Sequence, residues 1–87
     1  MGEEAFKDCD SLERVHLPEN LVILEKGVLQ NCSALESVLI PKKVEVISED
    51  AFSYCLSLKN IFLPNGLKRI EARAFSGCEN LEEVILP

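Results

Sequence analysis

Apolar positions along the chain recur on a long period. In residues 14–18, RVHLP, Val15 and Leu17 alternate with Arg14 and His16 before a proline. This two-residue alternation predicts a short strand with one face buried. Proline lacks the N–H that a continuing ladder needs, so it ends the strand. The same spelling then returns at a fixed interval of 23 residues. Val15 is followed by Val38, Ile61 and Val84, and Leu17 by Ile40, Leu63 and Leu86. Leu12, Leu35, Leu58 and Leu81 share the interval, as do Cys9, Cys32, Cys55 and Cys78. Pro18, Pro41, Pro64 and Pro87 close the blocks. Between them, Leu21, Val44 and Leu67 correspond, and so do Leu24, Ile47 and Ile70. Ala5, Val28, Ala51 and Ala74 precede Phe6, Leu29, Phe52 and Phe75. No insertion or deletion disturbs the register.

A period of 23 lies within the roughly 20 to 29 residues of leucine-rich repeats and below the ~33 of helical-pair repeats. Residues 48–55, SEDAFSYC, predict one or two helical turns, with Ser48 as N-cap and acidic residues in the first turn. Each block therefore reads as strand, turn, short helical segment, turn, an α/β repeat. One block cannot bury its own apolar side, but stacked blocks can, each strand about 4.8 Å from the next in a parallel sheet. Equivalent residues then form columns through the core, and the cysteine returns because every coil fills the same slot. The expected organisation is a single domain over residues 1–87, with units at 3–25, 26–48, 49–71 and 72–87, and it reads as an excised part of a longer array.

The order C-x-x-L-x-x-[VI]-x-[LI]-P, followed by L-x-x-[LI] and A-F-x-x-C, resembles the BspA-like (treponemal-type) leucine-rich repeat family over essentially the whole chain. The resemblance implies a right-handed solenoid of about four coils, with a parallel sheet on its concave face and short helical segments on the other. It also implies a cell-surface or secreted setting and a role in adhesion. The chain departs from the family's pattern in two places. Glu25, Ser48 and Glu71 stand where family units commonly carry glycine, and Leu29 fills an aromatic slot. No polar capping unit is evident at either terminus.

Composition narrows the function without identifying it. The chain has 87 residues, 47% of them hydrophobic and 28% charged, which fits a folded domain and excludes wholesale disorder. A net charge of −6 argues against nucleic acid as partner, because phosphate binding needs clustered Lys and Arg. No apolar run approaches the roughly 18 residues of a membrane span, so no membrane insertion is expected. The first ten residues have neither the basic nor the apolar region of a secretory signal, and Phe6 stands where myristoylation expects Ser or Thr.

No cofactor or metal is expected. The four cysteines are strung one per coil, whereas zinc requires ligands converging on one point. Side chains in register point the same way and are poorly aimed for disulfides. The thiols are better read as small buried hydrophobes. His16, the lone histidine, faces away from the core in this scheme while Cys9 faces in, so the two form no catalytic pair. Acid pairs such as Glu82 and Glu83 sit on opposite faces of a strand. Neither a phosphate loop nor a serine-nucleophile elbow occurs. The chain is expected not to be an enzyme.

The outward positions of the predicted strands are more informative. Arg14, Ser37, Asn60 and Glu83 make a polar column. His16, Leu39, Phe62 and Ile85 make the next, and three of these are large and apolar. An exposed apolar stripe of this kind marks a contact site, with Phe62 as its natural anchor. Expected ligand contacts are Arg14, His16, Leu39, Asn60, Phe62 and Ile85, toward a protein or glycan. The competing expectations are a spacer segment without its own ligand, and homodimerisation or end-to-end stacking through Val15/Leu17 and Val84/Leu86.

Overall fold

The computed structural model describes residues 2–85. Six short strands alternate along the chain: β1 (Ile23–Leu24), β2 (Ser37–Leu39), β3 (Val46–Ile47), β4 (Asn60–Phe62), β5 (Arg69–Ile70) and β6 (Glu83–Ile85). They sort into two parallel sheets. Sheet A has the order β1-β3-β5 and sheet B the order β2-β4-β6. Every strand pair is in the register that the repeat demands: Ile23 with Val46 and Arg69, Ser37 with Asn60 and Glu83, Leu39 with Phe62 and Ile85.

Three features differ from the sequence expectations. First, there are two sheets where one was expected. The segments around Leu24, Ile47 and Ile70, read as turn, are strands. Second, residues 14–18 are not a strand among the described residues, so sheet B begins at β2. Third, the expected helical segments are absent: no described residue is helical, and Ser48 caps nothing. The reason lies in two backbone positions of each unit. Glu4, Gly27, Asp50 and Arg73 have φ between 56° and 63°, and the set Asp8, Asn31, Tyr54 and Gly77 has φ between 61° and 75°. Left-handed residues four apart forbid a right-handed helix. The segment runs as successive turns instead. Ala51 N–H donates to the Ser48 carbonyl (3.2 Å), Ser53 to Asp50 (3.2 Å) and Cys55 to Phe52 (3.3 Å).

Between those turn bonds, the alternate N–H groups point at the neighbouring unit. Gly27, Leu29 and Asn31 donate to the carbonyls of Glu49, Ala51 and Ser53 (3.1, 2.8 and 2.8 Å). Asp50, Phe52 and Tyr54 donate likewise to Ala72, Ala74 and Ser76. This third side is therefore a ladder between units, as the two sheets are. Side chains continue it: Asn31 donates to Asp8 (2.9 Å), and Arg73 pairs with Asp50 (3.4 Å) and Glu49 (3.2 Å). The Ser53 hydroxyl, itself buried, lies 2.7 Å from both the Asp50 carboxylate and the Arg73 carbonyl, and its one proton serves one at a time. That contact, followed by Arg73, holds the Asp50 carboxyl below its ordinary pKa.

The core fills the space inside these three ladders. Leu24, Val28, Leu29, Leu35, Val44, Ile47, Phe52, Leu58 and Ile61 are fully enclosed. Burial is greatest in the middle units and falls outward, as stacking requires. Leu35 and Leu58 are buried while Leu12 and Leu81 are half-buried, and the Phe52 ring, enclosed itself, stacks on half-buried Phe75 with centroids 5.3 Å apart. Leu17, Ile40 and Leu63 are all buried, whereas Leu86 and Pro87 lie outside the described residues.

Two substitutions test this packing. Phe52→Ala removes a fully buried ring and is expected to cost about 3–5 kcal/mol, a large share of the roughly 5–15 kcal/mol typical of a domain, so the denaturant midpoint falls steeply or the protein fails to fold. Gly77→Ala drives a methyl into the Tyr54 ring at a φ of +75°. It is expected to lower the melting temperature, whereas Gly2→Ala, with nothing within 4 Å, leaves it unchanged.

Candidate interaction surface

Sheet B carries the polar and apolar columns that the sequence pointed to. The register sets Leu39 beside Phe62 and Phe62 beside Ile85, and sets Ser37, Asn60 and Glu83 side by side two residues earlier. Strand alternation explains their exposure. Val38 and Ile61, the residues between the columns, are buried, while Leu39 is 70% exposed and Phe62 39%. Ile85 is half-buried. Asn60, with its amide turned to satisfy both neighbours, donates to the Glu83 carboxylate (3.1 Å) and the Lys59 carbonyl (3.2 Å).

Arg14 and His16 are placed differently. Both are exposed, but they lie on the segment that sheet B leaves unpaired. His16 stands across a groove of about 490 Å³ from Leu39, with Val15, Ile40, Lys42 and Leu63 also in its walls. The structure thus gathers Leu39, Asn60, Phe62 and Ile85 on one strand face, and places His16 with Leu39 in the wall of one groove.

The cysteines do form a file. The Cys32 thiol donates to the Phe6 carbonyl (3.1 Å), Cys55 to Leu29 (3.2 Å) and Cys78 to Phe52 (3.1 Å). Each thiol therefore ties its unit to the preceding one, a role beyond that of a small hydrophobe. All four are free. Burial raises the Cys32 thiol to about 11 and the Cys55 thiol to about 12, and it raises Cys78 too, because a thiolate has no solvent there. Among the described residues, no group of His, Cys, Asp and Glu is clustered closely enough to hold a metal ion. No helix there is long and apolar enough to cross a membrane.

Sequence reasoning missed the second sheet and the left-handed turns, although signals for both existed. Ile23, Val46 and Ile47 are β-branched. Gly27, Asp50, Asp8, Asn31 and Gly77 are the residue types that tolerate positive φ, repeated at the unit's own spacing.

Stacked parallel strands, one residue column per repeat, define a leucine-rich-repeat type of fold. The chain belongs to the BspA type leucine rich repeat family, whose repeat region matches residues 1–87 in six copies. It is similar to a leucine rich cell surface protein from Faecalibacterium prausnitzii A2-165, with 30% identity and a TM-score of 0.95 over 98% of this chain. It is also similar to a leucine-rich repeat protein from Bacteroides ovatus ATCC 8483, with 37% identity and a TM-score of 0.92 over 95% of the chain. In each case the matched region is 22% of the other protein's length. No curated protein matches the chain.

The buried thiols couple stability to pH. Raised pKa values favour the protonated form in the folded state, so their contribution is intact below the unfolded thiol pKa of about 9 and is lost as pH climbs toward 11 and 12. Stability measured by urea titration should fall over that window by about 1.4 kcal/mol per pH unit for each such thiol. In Cys55→Ala the slope should be shallower. Maleimide at pH 7 should leave Cys55 unlabelled until the protein is unfolded. An equal slope in the variant would remove the link to this thiol.

Proposed function

We propose that the chain is one domain of a cell-surface adhesion protein, a right-handed solenoid segment with units at 3–25, 26–48, 49–71 and 72–87. Sheet B is its concave, non-enzymatic binding face for a protein or glycan. The observation that carries this reading is the aligned stripe of exposed Leu39 and Phe62 with half-buried Ile85 on one strand face. A large apolar side chain that is 70% exposed, beside a half-open aromatic, costs solubility unless something covers it. Asn60, Arg14 and His16 supply polar contacts at the margin, which suits an interface with an apolar centre and a polar rim. The surface setting is supported by the Faecalibacterium neighbour, a leucine rich cell surface protein.

Self-association is the second reading. Leu39 and Phe62 favour it: both are exposed on one strand face, and a second copy laid against that stripe would cover them. Mass in solution, measured from micromolar to millimolar chain, decides this point. A concentration-dependent dimer that Phe62→Ser abolishes supports self-association through the stripe, and a monomer throughout excludes it.

The binding face is tested by exposing the immobilised chain to arrays of soluble proteins and glycans. The triple variant Leu39→Ser, Phe62→Ser, Ile85→Ser is expected to keep its melting temperature within a few degrees. It should lose bound partners by ten-fold or more, because central apolar anchors dominate interface energetics. Unchanged binding in the triple variant overturns the assignment.

A further inference from the structure

Beside β2 the hydrogen-bond ladder is interrupted, and a groove opens at its Leu39 end. In the rest of sheet B the ladder is regular: Ile40 N–H donates to the Phe62 carbonyl (3.0 Å) and Leu63 N–H to Ile85 (2.9 Å). The equivalent bond, from Leu17 N–H to the Leu39 carbonyl, is missing. No backbone hydrogen bond joins residues 15–17 to β2 at all. This local opening is held on both sides. Before it, Phe6 and Asp8 donate to Val28 and Gln30 (2.8 Å each), and Glu36 donates to Glu13 (3.2 Å). After it, Ile23 and Leu24 pair with Val46 and Ile47. The first unit is therefore hydrogen-bonded on its other two sides and lacks backbone hydrogen bonds to β2 only along residues 15–17.

Two properties of the opening specify an occupant. The outward backbone groups of β2 are donors and acceptors spaced for another strand, and an unpaired strand edge is satisfied best by an added strand. Charge supplies the second. In a chain of net charge −6, the side chains of Lys7, Lys26, Lys68, Arg69 and Arg73 make ion pairs. Among the described residues, Arg14, Lys42, Lys43 and Lys59 make none, and all four lie on the segments entering or leaving sheet B or on the parted segment itself. Lys42 lines the groove directly, opposed there by Glu19 alone among acids.

We propose that the free edge of β2 takes an extended acidic peptide of a partner protein, by strand addition into the groove between Leu39 and His16. This rests on the reading of sheet B as the binding face and names the partner's chemistry: alternate apolar side chains toward Val15, Ile40 and Leu63, and a carboxylate toward Lys42. The groove's ~490 Å³ suits a short segment of extended chain.

The probes are the blocked peptide acetyl-Glu-Val-Thr-Val-Asp-amide and its analogue N-methylated at both valines, titrated against the ¹⁵N-labelled chain. In the free protein the Leu39 amide should exchange at least ten-fold faster than the Phe62 amide, which stands opposite it in the ladder. The peptide should slow Leu39 exchange and shift Leu39, His16 and Lys42. The N-methylated analogue should bind about ten-fold or more weakly, having lost two backbone donors, and Lys42→Gln should weaken binding of the unmodified peptide, more so at low salt. The proposal is overturned by a Leu39 amide as protected as that of Phe62, by absence of binding, or by equal binding of the two peptides. Equal binding with shifts confined to Phe62 and Ile85 leaves the sheet face as the site, whereas binding at the edge with no response to the triple variant removes the face instead.

Discussion

Backbone hydrogen bonding between units is the constraint on which the rest depends. A unit of 23 residues encloses too little to hide its own peptide groups, and a buried N–H or C=O without a partner is costly. Here they are satisfied by the equivalent segment of the next unit on three sides: sheet A, sheet B and the left-handed turns. Because those partners stand one repeat apart, side chains are forced into columns, and each column is held to one size and polarity. The fully enclosed residues, from Leu24 and Leu35 to Phe52 and Ile61, follow from that geometry.

The same constraint produces the surface. A strand that buries Val38 and Ile61 must turn Leu39 and Phe62 the other way, and fixed register then assembles them into a stripe that no single unit contains. The face is anchored through the ladder to the enclosed core. Where the ladder is interrupted, at residues 15–17, β2 makes no backbone hydrogen bond to the first unit and a groove opens beside Leu39.

Much of this was legible in the spelling of the chain. The spacing of Cys9, Cys32, Cys55 and Cys78 gave the unit length, and the alternation around Val38 and Ile61 gave the buried and exposed sides of sheet B. What misled was local propensity. Residues 48–55 carry an N-cap type, early acids and apolar spacing that suit a helix, yet Asp50 and Tyr54 adopt positive φ because their neighbours in the stack demand outward N–H groups. Tyrosine gives no warning of that conformation; Gly77, at the same place in the next unit, does. Residues 14–18 misled in the opposite sense. Their alternation is strand-like, but a strand exists only when paired, and pairing is decided by the neighbour. The second sheet escaped notice because two-residue strands are too short to show a period.

The buried sulfurs have a consequence for the conditions the fold can endure. Disulfide exchange and oxidation both proceed through the thiolate, and with Cys32 and Cys55 raised to about 11 and 12 that species is vanishingly scarce near neutrality. Each of these protons is already committed to a carbonyl of the preceding unit. At these two positions a cysteine-bearing chain can traverse an oxidising environment without scrambling, and tolerate a reducing one equally well, since no crosslink is there to lose.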